Sequence, residues 1–165
     1  RVAGTVGLMM SKILKVKDKQ SLKGALDLGI AMQLTNIARD VIEDKKRNRA
    51  YISHDFNSIK ETIQIADTFY DSSFPAIKSI PFSLRFSIIV ARRIYRKIGY
   101  NILKQVNLEN YNNAGKIYVS NLSKILETFL ALFDLMKLFF VNSKKHLKEN
   151  EHLLISEEIN LNERI

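Results

Sequence analysis

Cysteine is absent from this 165-residue sequence. That excludes disulfides and thiolate metal sites outright and is compatible with a reducing compartment. Prolines number only two, Pro75 and Pro81, and glycines six. With so few breakers, and no alternating apolar run bounded by turn dipeptides, the chain reads as helical nearly throughout. There is no internal repeat, no low-complexity linker and no concentrated basic block. The 26 lysines and arginines are scattered, so the footprint of a nucleic-acid face is missing and nucleic acid is not expected as a partner.

What is present is an ordinary globular composition, 46% apolar and 26% charged, with a net charge of +9. The length suits one domain with a real core. The positive charge fits an anionic partner such as a phosphorylated substrate or a membrane surface, and equally a lysine-rich soluble surface. Position 1 is Arg and opens directly into the small-residue run RVAGTVGLMM. The expectation is a fragment whose upstream part is missing, which leaves any targeting segment unread.

Periodicity predicts helices over about 2–14, 21–46, 58–70, 83–105 and 118–141. Ser21 is read as the start of the second. Ser58 with Glu61 has capping-box spacing at the start of the third. The stretch 45–57, KKRNRAYISHDFN, is a basic loop. The last helix contains ILETFLALFDLMKLFFV, interrupted by Glu127, Asp134 and Lys137. A membrane-spanning helix wants roughly 20 mostly apolar residues with few charges, so a core helix is expected instead.

The second helix carries QLTNIARDVIED at 33–44. At about 100° per residue, Gln33, Asn36, Asp40 and Asp44 fall within a sector of about 80° beside the apolar sector of Ile30, Leu34, Ile37, Ala38 and Val41. Thr35, Arg39, Glu43 and Lys46 fall on the expected solvent face. Carboxylates one turn apart repel by roughly 0.2–0.5 kcal/mol, and no basic residue interrupts the stripe. A divalent cation resolves both problems, and Mg2+ suits best: it keeps several waters, binds through one or two carboxylates and shares substrate phosphates. Asn36 adds a neutral oxygen ligand. Arg39, Lys45, Lys46, Arg47 and Arg49 stand close by for phosphate oxygens. A solvated helix end has the same spacing, and spacing alone does not decide.

The words RVAGTVGLMM at 1–10 and LGIAMQLTNIARDVIEDKKRNRAYIS at 28–53 closely resemble the squalene/phytoene synthase family. ARRIYRKIGYNIL and KIYVSNLSK resemble that family's later helices in the expected order. The resemblance implies an all-α isoprenoid (terpenoid) synthase fold, here an incomplete helical bundle over residues 1–142 followed by a polar tail at 143–165. It implies that two prenyl diphosphates are joined head to head through a cyclopropyl intermediate. Asp40 and Asp44 would be the second of two aspartate-rich motifs and, with Asn36, the Mg2+ ligands. Arg39 would stand beside the diphosphate. Ala3, Gly4, Gln33, Tyr95 and Lys116 would line the substrate pocket, with Gly7 on the same small-residue face. NADPH would enter only with a squalene-type product. A lipid substrate implies a cytoplasmic protein, with peripheral membrane association compatible.

The sequence departs from the family in three ways. The first aspartate-rich motif and a tyrosine ahead of RVAG are absent, the stretch between YIS and the following helix is short, and Lys116 stands where the family has arginine. Without the first motif this chain alone is not expected to catalyse, and the short stretch together with Lys116 supports a second expectation, a catalytically silent relative acting as an assembly or binding protein.

Overall fold

The computed structural model describes residues 2–141, and for Val2 and Ala3 the backbone alone. The polar tail expected at 143–165 lies outside the described residues. Among them every regular element is helical: α1 (Val2–Ile13), α2 (Lys19–Arg39), α3 (Val41–Lys46), α4 (Phe56–Ser73), a 3-10 helix (Phe74–Ser79), α5 (Phe82–Leu103), α6 (Leu108–Ala114) and α7 (Asn121–Phe140).

The starts of α2 and α4 are set by aspartates. The Asp18 side chain accepts from the Ser21 backbone N–H at 2.9 Å and from its hydroxyl at 2.6 Å. Asp55 does the same for Ser58, at 2.8 and 2.7 Å. Ser21 and Ser58 therefore sit three residues inside their helices, and the capping oxygens belong to Asp18 and Asp55. The Ser58–Glu61 pair is not the capping box.

α2 is the central element, packing against α1, α4, α5 and the 3-10 helix. It contributes Leu22 and Leu26 to one apolar cluster, Ala31 to a second and Ala38 to a third. α4 answers with Ile59, Ile63, Ala66, Tyr70 and Ser73, all buried at alternating spacings of four and three. Burying an aliphatic or aromatic side chain of this kind is worth roughly 1.5–3 kcal/mol. Thr35, expected in solvent, is fully buried. Its hydroxyl donates to the Ala31 carbonyl and lies 3.0 Å from the Tyr70 hydroxyl. A helix packed on several sides has no wet face there, which a single-stripe reading does not anticipate.

Two glycines let α2 be central. A methyl group at Gly7 would fall on the backbone carbonyl of Ala25, and one at Gly24 on the Ala76 side chain. Backbones approach to contact at both crossings.

α7 is not the core helix expected. Glu127, Ala131 and Leu138 face α5 and the 3-10 helix and are buried, whereas Leu122, Ile125, Leu126, Phe129, Phe133 and Met136 are exposed. Arg93 explains the choice of face, because it bonds both Glu127 and Asp134 across the helix pair. The two acids that interrupt the apolar run are the packing contacts, and the apolar residues between them turn outward. No described helix is long and apolar enough to cross a membrane.

In an open helix Gly→Ala stabilises by about 1 kcal/mol. At Gly7 the sign should reverse, with Gly7→Ala costing about 1–3 kcal/mol by overpacking against Ala25. Urea unfolding measures it, and an unchanged or raised midpoint would show that the α1–α2 crossing is looser than described.

Candidate active site

α2 and α3 are nearly one helix, broken at Asp40, whose φ of −102° and ψ of 12° lie outside the helical region. Hydrogen bonding carries across the break: Asp40 N–H donates to Asn36 O at 2.9 Å and Asp44 N–H to Asp40 O at 2.8 Å. The break frees the last carbonyls of α2, and the Tyr111 hydroxyl from α6 donates to those of Ala38 and Arg39 at 2.8 and 2.9 Å. Burial pushes the Tyr111 phenol up to about 12, so it stays a donor through the neutral range.

Asp40 is held in a ring of charge. Arg39 Nε and Nη2 donate to its two carboxylate oxygens at 2.8 Å each, a bidentate grip. Lys116, on the segment between α6 and α7, lies 3.3 Å from Asp40 and donates to Glu43 at 2.8 Å. Partial burial pushes the Asp40 carboxyl up, but the Arg39 bonds and charge and then Lys116 outweigh it and hold it below its ordinary value. The bond to Glu43 raises Lys116, helped by Asp40, and Lys116 stays charged.

The sequence-predicted residues divide. Asn36, Arg39, Asp40 and Lys116 come together at the break. Arg39 is not on a solvent face: its side chain is 16% exposed and turned onto Asp40. Tyr95 is half-buried against the two apolar clusters beside them. Asp44 instead lines a smaller cleft of about 180 Å3 with Ile37, Val41, Arg49, Tyr51 and His54. Gln33 is exposed. Gly4 is buried against Leu26 as a packing residue. Ala3 lies in α1 with its side chain outside the described residues.

Asn36 stands apart. Its side-chain Oδ1 is buried with no hydrogen-bond donor among the described residues, a condition that ordinarily costs about 1–3 kcal/mol. No three carboxylates or imidazoles converge on a metal position among the described residues. A Mg2+ held by Asn36, Asp40, water and substrate oxygens does not need them, and an acceptor awaiting a cation fits that donor set.

Along α2, Ala25, Gly29 and Met32 precede Asn36 and Asp40 at spacings of three and four, hence on one face. The first three line an almost wholly apolar cavity of about 180 Å3 shared with Gly7 and Met10 of α1. The cavity lining stops at Met32, and the same face of α2 reaches Asp40 about 12 Å of helix further on.

Glu43 and Tyr111 were not singled out by sequence. Glu43 lies one turn from Arg39, a visible signal, but its pairing with Lys116 spans 73 positions and leaves none.

A carboxylate held below its ordinary 3.8 adds stability above that value and loses it as pH falls through the depressed one. Arg39→Gln should cost on the order of 1 kcal/mol at neutral pH, with the gap closing as pH falls below about 4. Thermal unfolding across pH checks it; a pH-independent gap would assign the loss to packing instead.

Residues 1–58 match the squalene/phytoene synthase family. The chain is 37% identical to a 15-cis-phytoene synthase of a Paracoccus species, over 62% of this chain and 40% of that protein. It is 32% identical to a 15-cis-phytoene synthase of Enterobacter agglomerans, over 62% of this chain and 42% of that protein. With the chloroplastic phytoene synthase 2 of Solanum lycopersicum it is 33% identical, over 76% of this chain and 48% of that protein. The chain thus spans less than half the length of these curated relatives. The matched segment contains α1, α2 and the break at Asp40, in an all-α framework of the isoprenoid-synthase kind. The chain belongs to the squalene/phytoene synthase family.

Proposed function

We propose that this chain carries one half of a metal-dependent site for head-to-head condensation of prenyl diphosphates, with a phytoene-type product. One observation supports it above the others: the face of α2 that lines the apolar cavity as far as Met32 carries, one turn on, the buried, donor-less Asn36 Oδ1 and then the charged Asp40. An amphiphile with a long apolar tail and an anionic head matches that gradient. Asn36 and Asp40 would hold Mg2+, which when bound stabilises the charge that develops on departing diphosphate. Arg39 and Lys116 keep Asp40 ionised and supply cations for phosphate oxygens. The α1–α2 crossing keeps water from the tail, and Tyr95 closes the pocket beside Arg39. The phytoene synthases among the relatives favour a product for which NADPH has no role. Lipid substrates and the outward apolar residues of α7 support a cytoplasmic protein working at a membrane surface.

A silent relative, acting as an assembly or binding protein, is favoured by the pairing of Asp40 with two cations of its own chain. Such pairing satisfies the charge without metal.

Thermal unfolding with Mg2+ and a non-hydrolysable farnesyl diphosphate analogue separates the two. Ligand at about 100 times its dissociation constant should add roughly 2.7 kcal/mol, a shift of several degrees. The shift should vanish with EDTA and in Asp40→Asn. A shift independent of Mg2+ or of Asp40 contradicts the metal site, and no shift in a cooperatively unfolding chain supports the silent relative.

A further inference from the structure

A second cleft, of about 510 Å3, opens between α4, the 3-10 helix, α5 and α7, and none of the residues discussed at the α2 break lines it. Five cations do: Arg92, Arg93, Arg96, Lys97 and Lys137, against Asp71, Glu127 and Asp134. The acids are already engaged. Arg93 takes Glu127 at 2.8 Å and Asp134 at 2.7 Å. Arg96 takes Asp71 at 2.7 Å and the nearby Asp67 at 2.5 Å. Four carboxylates thus rest on two guanidinium groups.

Three cations remain under-compensated. Arg92 is buried, donating through Nε and Nη2 to the Tyr70 carbonyl at 3.0 and 2.9 Å, with its guanidinium over the Phe74 ring. Its closest carboxylate, Asp71, is 3.4 Å away and held by Arg96. Burial, and after it the charge of Arg96, lower the affinity of Arg92 for its proton. Lys97 reaches Glu127 only at 3.4 Å, and Lys137 has no ion pair among the described residues. A buried cation repelled by its neighbours and open to a cleft is relieved by an anion.

We propose that this cleft binds a small phosphomonoester through Arg92, Lys97 and Lys137, without metal. No carboxylate there is free to hold a cation, and guanidinium and ammonium donors together suit a phosphate dianion. Its volume is in the range of small-molecule sites, roughly 300–1,000 Å3, more than one phosphate requires. Phe74, Pro75 and Tyr100 offer apolar walls for the organic part.

The test is calorimetric titration of the full chain with glycerol 3-phosphate and with inorganic phosphate, in EDTA. Saturable binding of the monoester, tighter than that of inorganic phosphate, is expected. The double substitution Lys97→Gln, Lys137→Gln should weaken it on the order of a hundredfold, since each lost charge-assisted contact is worth about tenfold. Asp71→Asn, at a largely exposed acid, should tighten binding about threefold by removing the anion nearest Arg92. That is a gain which misfolding cannot imitate. Asp40→Asn should leave binding unchanged, which keeps this site distinct from the α2 break. The proposal is overturned if the monoester does not saturate, if inorganic phosphate binds as tightly, if the lysine substitutions have no effect, or if Asp40→Asn abolishes binding.

Discussion

The charge on Asp40 is the constraint around which the α2–α3 region is arranged. It sits at a helix break with its side chain about four-fifths covered, where a lone carboxylate would be expensive and would protonate. Arg39 supplies two bonds from the adjacent position, and Lys116 supplies a second cation from a segment far along the chain. Lys116 can be there only because α6 turns the chain back, and α6 is fixed by Tyr111 donating to the carbonyls that the break leaves open. Break, cap and counter-charge therefore depend on one another. Removing any one exposes a polar group the other two were satisfying.

The same helix gathers the apolar side of the site. Gly7 and Gly24 bring α1 and the 3-10 helix onto α2, and the cavity among them lies on the face of α2 that carries Asn36 one turn beyond Met32. α5 serves two regions at once. Tyr95 faces the break, while Arg92, Arg93 and Arg96 reach the other way and tie α4 and α7 together through paired acids. An ion network of this kind costs less per bridge than isolated pairs, because each guanidinium is ordered once for two partners. It also determines which side of α7 packs, and so leaves the apolar side of that helix outward.

The helical class was legible because breakers are scarce and the period of 3.6 is sustained in α4, α5 and α7. The Asn36–Asp40 pair was legible for the same reason: residues four apart share a face whatever the tertiary context. What failed was the inference of what each face meets. Thr35 and Arg39 looked solvent-facing because one apolar stripe was assigned to a helix that is covered on several sides. α7 looked like core because apolar content outweighed two acids, yet Glu127 and Asp134 are the residues that pack. α6 and the 3-10 helix are too short to leave a period. The α4 cap was displaced by three residues because Asp-x-x-Ser and Ser-x-x-Glu are both plausible starts, and only the direction of the hydrogen bond separates them.

The central claim is that Asn36 and Asp40 form a cation-diphosphate half-site at the end of an apolar groove. Paramagnetic broadening tests it most directly: Mn2+ added with farnesyl thiodiphosphate, observed at the Asn36 side-chain amide. The account predicts selective broadening of that resonance and of the backbone around Asp40, dependent on the ligand and abolished by Asp40→Asn. Broadening spread over the exposed acids, or unchanged by Asp40→Asn, would contradict it.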